Sequence, residues 1–168
     1  VTMSDVGVRP VRPGELARVG EITVAAYRAS GLLHGDSDYE HQLRDAARRA
    51  ELAELLAAVD GDDVVLGSVT VARYGSWFAQ VAVPGELEFR MLAIDPQHRG
   101  RGIGELLTQA VCDRAADLGC HRVVMCVDRS NAPALRLYER MGFRRLPERD
   151  WAPVPAVQLL ALGREVPR

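Results

Sequence analysis

The chain has 168 residues, 48% hydrophobic and 26% charged, with a formal net charge of −2. Domains commonly run to about 100–200 residues, so one domain over residues 1–168 is expected. The balance excludes a disordered, fibrous or strongly basic nucleic-acid-binding chain. No apolar run approaches the ~20 residues of a membrane span. No basic segment followed by an apolar stretch marks a secretory leader, so a cytoplasmic chain with no membrane or nucleic-acid partner is expected.

Residues 6–11 read as a first strand. Pro13, Gly14 and Glu15 open a helix in which Leu16, Val19, Ile22, Ala26 and Tyr27 fall near helical spacing, and Gly31 ends it. Residues 32–39, with His34, Asp36 and Asp38, read as a loop and cap. A polar helix follows from Ser37 or Asp38 to about Arg49. Residues 52–59 fit helix or strand, and Asp60-Gly61-Asp62 favours a hairpin into the valine-rich run 64–73. Residues 75–84 read as a loose connection with an exposed Trp77-Phe78 pair.

The second half is more strongly patterned. Residues 86–94 are a strand and residues 102–118 a helix that Gly119 stops. Residues 121–127 are a buried-type strand, and 131–141 a short helix opened by Ser130 or Asn131 with Pro133 in its first turn. Residues 143–146 and 157–162 close the chain as strands, with a proline-bounded loop over 147–153 between them. The order β-α-α-β-β-β-α-β-α-β-β predicts a single three-layer α/β or α+β domain around one sheet.

All 21 basic residues are arginine, so no lysine is present to form a Schiff base or serve a P-loop. Cys112, Cys120 and Cys126 lie in apolar periodic stretches and read as buried free thiols in a reducing compartment. Together with His121 they match no zinc spacing, so no metal is expected.

The most informative stretch is Ile94-Asp95-Pro96-Gln97-His98-Arg99-Gly100-Arg101-Gly102-Ile103-Gly104. A strand ends, a proline breaks it, and a basic glycine-rich loop enters a helix. Helix N-termini carry unpaired N–H groups and partial positive charge, and glycines let the backbone approach an anion. In physical terms this is a phosphate cradle. The spacing is neither that of a Walker A loop, which needs a lysine, nor that of a dinucleotide fingerprint.

Gln97 to Gly102 resembles the Arg/Gln-x-x-Gly-x-Gly/Ala motif of the GNAT superfamily of N-acetyltransferases, and the lead-in Met91 to Pro96 is similar to that family's strand-to-Pro approach. A second hallmark, Asn-x-x-Ala to Tyr-x-x-x-Gly-Phe, is matched by Asn131, Ala134, Tyr138, Gly142 and Phe143. The resemblance implies a GNAT-like mixed central sheet with splayed central strands. It implies acetyl-CoA as co-substrate, its pantetheine arm paired with Leu92, Ala93 and Ile94 and touched by Asn131. The pyrophosphate would sit on the amides of Arg99, Gly100, Arg101, Gly102, Ile103 and Gly104.

The implied reaction is direct acetyl transfer to a primary amine on a small molecule or peptide. Glu86 is expected as base, with Glu88 as the alternative on the same strand face, and Tyr138 as proton donor to the departing thiolate. The acceptor cleft would be lined by the first two helices, their joining loop and the closing hairpin. Asp36, Asp38 and Glu40 in that loop read first as a solvated, helix-capping cluster, and as a carboxylate-rich mouth they would favour a cationic amine. Trp151 either closes over the acceptor or packs inward. Similar proteins often form homodimers. Transfer of a longer acyl group and a non-catalytic CoA-binding module remain as alternatives.

Overall fold

The structure, a computed structural model, describes residues 3–168. Val1 and Thr2, which begin the segment read for a leader, lie outside the described residues. Strand β1 (Gly7–Pro10) is followed by three helices, α1 (Leu16–Ala29), α2 (Ser37–Arg44) and α3 (Ala46–Leu52). Three strands follow, β2 (Glu54–Val59), β3 (Val65–Arg73) and β4 (Glu86–Ile94), then α4 (Ile103–Asp117), β5 (Arg122–Asp128) and α5 (Ala132–Arg140). Short β6 (Arg144–Arg145), β7 (Trp151–Val154) and β8 (Val157–Glu165) complete the chain.

The strands form one mixed sheet in the order β1-β2-β3-β4-β5-β8-β6, with β7 on β8. Its only parallel pair among the described residues is β4 with β5. Two apolar layers sandwich it. Ile103, Leu107 and Val111 of α4 and Tyr138 of α5 pack on Leu87, Phe89, Val123 and Met125 of one face. Val19, Ile22 and Ala26 of α1 and Ala46 of α3 pack on Leu55, Ala57 and Ala93 of the other. The three-layer reading of the sequence therefore holds.

Several local expectations are corrected. The polar helix expected up to about Arg49 is two helices, broken at Asp45. The Asp45 carboxylate accepts from the Arg48 N–H and so caps α3. Arg49, only 1% exposed, donates from Nη1 to the Gln42 and Leu43 carbonyls at 2.7 Å, satisfying the end of α2. Burial lowers its pKa to about 10, which still leaves it charged at neutral pH. Residues 54–59 resolve as strand, because β1 and β3 pair with both their edges. Phe78 is buried, not exposed, whereas Trp77 is 72% exposed. The loop expected over 147–153 contains a 3-10 turn and β7.

Helices α1 and α2 meet at Gly20, where an added Cβ would lie 2.2 Å from the Arg44 carbonyl oxygen. Alanine is ordinarily the better helix residue by about 1 kcal/mol. Here Gly20→Ala is expected to reverse that sign and cost roughly 1–3 kcal/mol through overpacking. Urea unfolding checks this: an unchanged or raised midpoint would mean the contact yields without cost.

Candidate active site

The site begins with a fault in β4. Ser68 pairs with Ala93 and Thr70 with Arg90, so Val69 alone opposes Met91 and Leu92. This is a β-bulge, and Met91 takes a left-handed backbone at φ 54°. The extra residue switches the faces of the strand. Before it, Leu87 and Phe89 pack on the α4 side; after it, Met91 and Ala93 pack on the α1–α3 side. Parallel pairing of β4 with β5 stops at Glu88–Val124, although β4 runs to Ile94 and β5 to Asp128. The two strands splay, as the resemblance implied.

The splay opens a cavity of about 930 Å³. One end reaches the glycine loop. Gly100 and Gly102 hold φ at 72° and 79°, and Gly102 is the N-cap of α4. The left-handed turn directs the chain into the helix, whose first N–H groups have no intrahelical acceptor. The Arg99 guanidinium is fixed on the C-terminal end of α1, donating to Ser30 Oγ at 2.8 Å and to the Ala26 carbonyl at 3.2 Å. Asp95 holds the turn before it, accepting from the Gln97 N–H and from Arg18. Leu92, Ala93, Ile94, Arg99, Gly100, Gly102, Ile103 and Gly104 all line the cavity; Arg101 does not.

Tyr138 and Asn131 reach the same cavity from the far wall. Tyr138 is 5% exposed and packs edge-to-face on Phe89 and Phe143. Burial pushes its pKa well up, so the phenol is protonated at neutral pH. Among the described residues its hydroxyl has no hydrogen-bond partner, which leaves it available to a ligand. Asn131 caps α5 by accepting from the Ala134 N–H at 3.3 Å while it lines the cavity. Cys126 is also in the wall; burial pushes its thiol up to about 12, so it is not a thiolate.

The two glutamates on β4 are placed differently from the expectation. Neither Glu86 nor Glu88 lines the cavity. The Glu86 side chain is fully enclosed, with Arg149 donating at 2.6 Å, Arg122 at 3.1 Å and the Val83 N–H at 2.9 Å. Burial alone would raise its pKa, but the Arg149 and Val83 hydrogen bonds and the two guanidinium charges outweigh it and hold the carboxyl below its ordinary range. Glu88 accepts from the N–H groups of Gln80, Val81 and Ala82, while burial raises its pKa. Both carboxylates anchor the loop that precedes β4. Glu86, expected as base, has its oxygens met here by protein donors and stands away from the cavity lining.

The remaining wall of the cavity is lined by α1, α2, their joining loop and the closing hairpin, the elements the resemblance implied around an acceptor. Tyr27, His34, Asp38, Tyr39 and Gln42 contribute from the first, Pro153 and Val154 from the second. Trp151 does not line the cavity. Asp36 is also in the wall, and it caps α2 by accepting from the Tyr39 N–H. The sequence reading missed one pair altogether. His34 Nε2 lies 3.0 Å from Asp128 Oδ2, joining the α1–α2 loop to the end of β5 across 94 residues. Asp128 Oδ1 accepts from the Ser130 N–H and hydroxyl, which fixes the carboxylate. His34 holds φ at 52°, an uncommon backbone for a non-glycine residue, of the kind found at functional sites. Arg90 was missed as well.

Residues 17–143 match the family model described as acetyltransferase (GNAT) family. A mycothiol acetyltransferase from Pseudarthrobacter chlorophenolicus is 32% identical over 148 residues, covering 83% of this chain and 43% of the relative. An L-methionine sulfoximine/L-methionine sulfone acetyltransferase from Pseudomonas paraeruginosa is 35% identical over 97 residues, covering 58% of this chain and 54% of the relative. The chain spans about half, or less, of the length of these curated relatives. Among solved structures, the PaiA N-acetyltransferase from Thermoplasma acidophilum, in complex with coenzyme A, aligns with a TM-score of 0.68 at 14% identity, over 93% of this chain and 97% of that one.

Two outcomes follow from this geometry. Aspartate tolerates the left-handed backbone better than most residues, so Gly102→Asp should fold normally yet weaken CoA binding at least about 100-fold by placing an anion at a phosphate cradle. Calorimetric titration of the folded variant checks this, and unchanged affinity would remove the cradle assignment. The depressed carboxyl of Glu86 contributes stability that is complete above its unfolded pKa and is lost as pH falls through the folded value. Glu86→Gln should therefore lower the melting temperature at neutral pH, by an amount that shrinks in acid.

Proposed function

The chain belongs to the GNAT acetyltransferase family, and from that premise we propose that its 168 residues act as one domain moving an acetyl group from acetyl-CoA to a primary amine, with both substrates bound together. The observation that carries this is the cavity itself: one space joins the left-handed glycine loop, the unpaired edge of β4 and the protonated Tyr138. Acetyl-CoA, the co-substrate, supplies an acetyl group activated as a thioester. The residues fit it. The α4 N-terminus with Arg99 suits a diphosphate, the free edge of Leu92, Ala93 and Ile94 suits the amides of the pantetheine arm, and Asn131 lines the same cavity.

In this reading the amine nitrogen bonds to the acetyl carbon as the carbon–sulfur bond breaks. Tyr138 donates its proton to the departing sulfur. The proton lost by the amine passes to the His34 imidazole, with Asp128 fixing the tautomer that leaves Nδ1 as acceptor. Cys126 takes no part, because a protonated thiol is a poor nucleophile. Both relatives above are named for small-molecule acceptors, which supports a small-molecule acceptor here.

The test is CoA release from acetyl-CoA over a panel of amines. Tyr138→Phe should lower kcat about 10- to 100-fold with little change in affinity for acetyl-CoA. In kcat/KM against pH, His34→Gln should lose the acid limb while Glu86→Gln keeps it. Full activity in Tyr138→Phe would return that residue to the core, and loss of the limb only in Glu86→Gln would restore Glu86 as the base.

A further inference from the structure

A second cavity, of about 670 Å³, opens beside the first. The two share Gln42, Gln80 and Arg90, so these side chains form a junction between them. The outer cavity is basic in character: His41, Arg44, Arg48 and Arg90 stand against Asp45. Asp45 is occupied in capping α3, and Arg44 is paired with Glu21 and Glu40. Among the described residues, neither Arg48 nor Arg90 has a carboxylate within 4.0 Å. A guanidinium carries five N–H donors. Arg90 uses one, to the Phe78 carbonyl at a long 3.4 Å. Glu88, two residues earlier on the same strand face, is already taken by three backbone amides. Arg48 stands over the exposed Trp77 ring, 5.7 Å from its centroid, at the outer wall.

We propose that the outer cavity is the subsite for a carboxylate borne by the amine acceptor, read by Arg90 at the junction. The inference rests on the amine-acetylation reading and names its substrate class. A single guanidinium flanked by two side-chain amides matches a planar carboxylate, which it can bind through two parallel hydrogen bonds. Asp38 on the wall of the inner cavity favours an approaching ammonium, and Arg90 favours a carboxylate. Because Arg90 touches both cavities, the two charges on the acceptor must be close together. An amino acid meets that requirement; a simple cationic amine, expected from the acidic loop alone, leaves Arg90 unpaired. The rest of the acceptor extends along Arg48 and Trp77.

The experiment has a turnover arm and a binding arm. In the first, acetyl-CoA is offered with L-phenylalanine or phenethylamine, and with L-leucine or 3-methylbutylamine. The carboxylate-bearing member of a pair should have a kcat/KM at least about 10-fold higher. Arg90→Gln should erase that preference through KM, with acetyl-CoA affinity unchanged. In the second arm, Trp151→Phe leaves Trp77 as the sole tryptophan, and its fluorescence is titrated with each amino acid and with its primary amide. The acid should perturb Trp77 and the amide should not, and Arg90→Gln should weaken the response at least about 10-fold.

An equal response to acid and amide, or a preference that survives Arg90→Gln, overturns the subsite. Acetylation of the neutral-tailed amines with no effect of the carboxylate overturns the subsite and leaves the acetylation reading standing. A carboxylate response of Trp77 that depends on Arg90, with no amine acetylated, sustains the subsite and overturns the acetylation reading.

Discussion

The extra residue in β4 at Met91 is the constraint on which the rest of the architecture turns. A sheet strand normally commits each side chain to one face for its whole length, because the side-chain period is two. Here the bulge lets Leu87 and Phe89 build the core under α4 and α5, while Met91 and Ala93 build the core under α1 and α3. The same fault bends β4 away from β5. In a parallel pair, that leaves the backbone groups of residues 89–94 on the β5 side without strand partners. Such groups are costly when buried dry, so a bulge inside a packed sheet makes sense where a polar ligand can take them up. The left-handed φ at Met91 costs about 1–3 kcal/mol. Cores packed on both faces hold it there.

The first half of β4 does a different job. Glu86, Glu88 and Arg90 share one face, and all three take hold of the segment that precedes them. Glu86 accepts from Val83, Glu88 from residues 80–82, and Arg90 donates to Phe78. Arg149 closes the arrangement from the 3-10 turn before β7, bonding both Glu86 and the Val81 carbonyl. A strand rim that would otherwise expose charges thereby fastens a loop whose Gln80 faces both cavities. Charge burial of this kind is stable only when every lone pair is used, and Glu86 comes close to that limit with two arginines and one amide.

What the sequence discloses depends on how far apart the partners lie. The glycine loop, the 103–117 helix and the 131–143 hallmark are local patterns, each carried within about 15 residues, and the structure places them as the spacing predicts. The break between α2 and α3 is also local in cause, yet Asp45 reads as one more polar residue in a polar helix until Arg49 is seen buried beneath it. Glu86 illustrates the harder case. A glutamate on a strand can be base or anchor, and its partner Arg149 is 63 residues away, in a segment that reads only as a loop. The His34–Asp128 contact spans 94 residues and has no periodic signature at all. Backbone geometry was legible; side-chain pairing across elements was not, because composition and spacing carry no record of it.

The electrostatics of the cavity follow from that pairing and not from net charge. Most acids near the mouth are committed: Asp36 to the cap of α2, Glu40 to Arg28 and Arg44, Asp128 to Ser130 and His34. Counting carboxylates along the loop therefore overstates its pull on a cation. The arginines sort the same way. Arg44, Arg114 and Arg122 are neutralised by glutamates, whereas among the described residues Arg99 and Arg90 have no carboxylate partner, and both line the cavity. In the low dielectric of a cleft an uncompensated guanidinium is a strong selector. One lies where the glycine loop offers its amides, and the other lies where nothing in the family resemblance would have put an anion. On the proposed reading these are two separate places for negative charge, and the aromatic rings of Phe89 and Tyr138 line the same cavity.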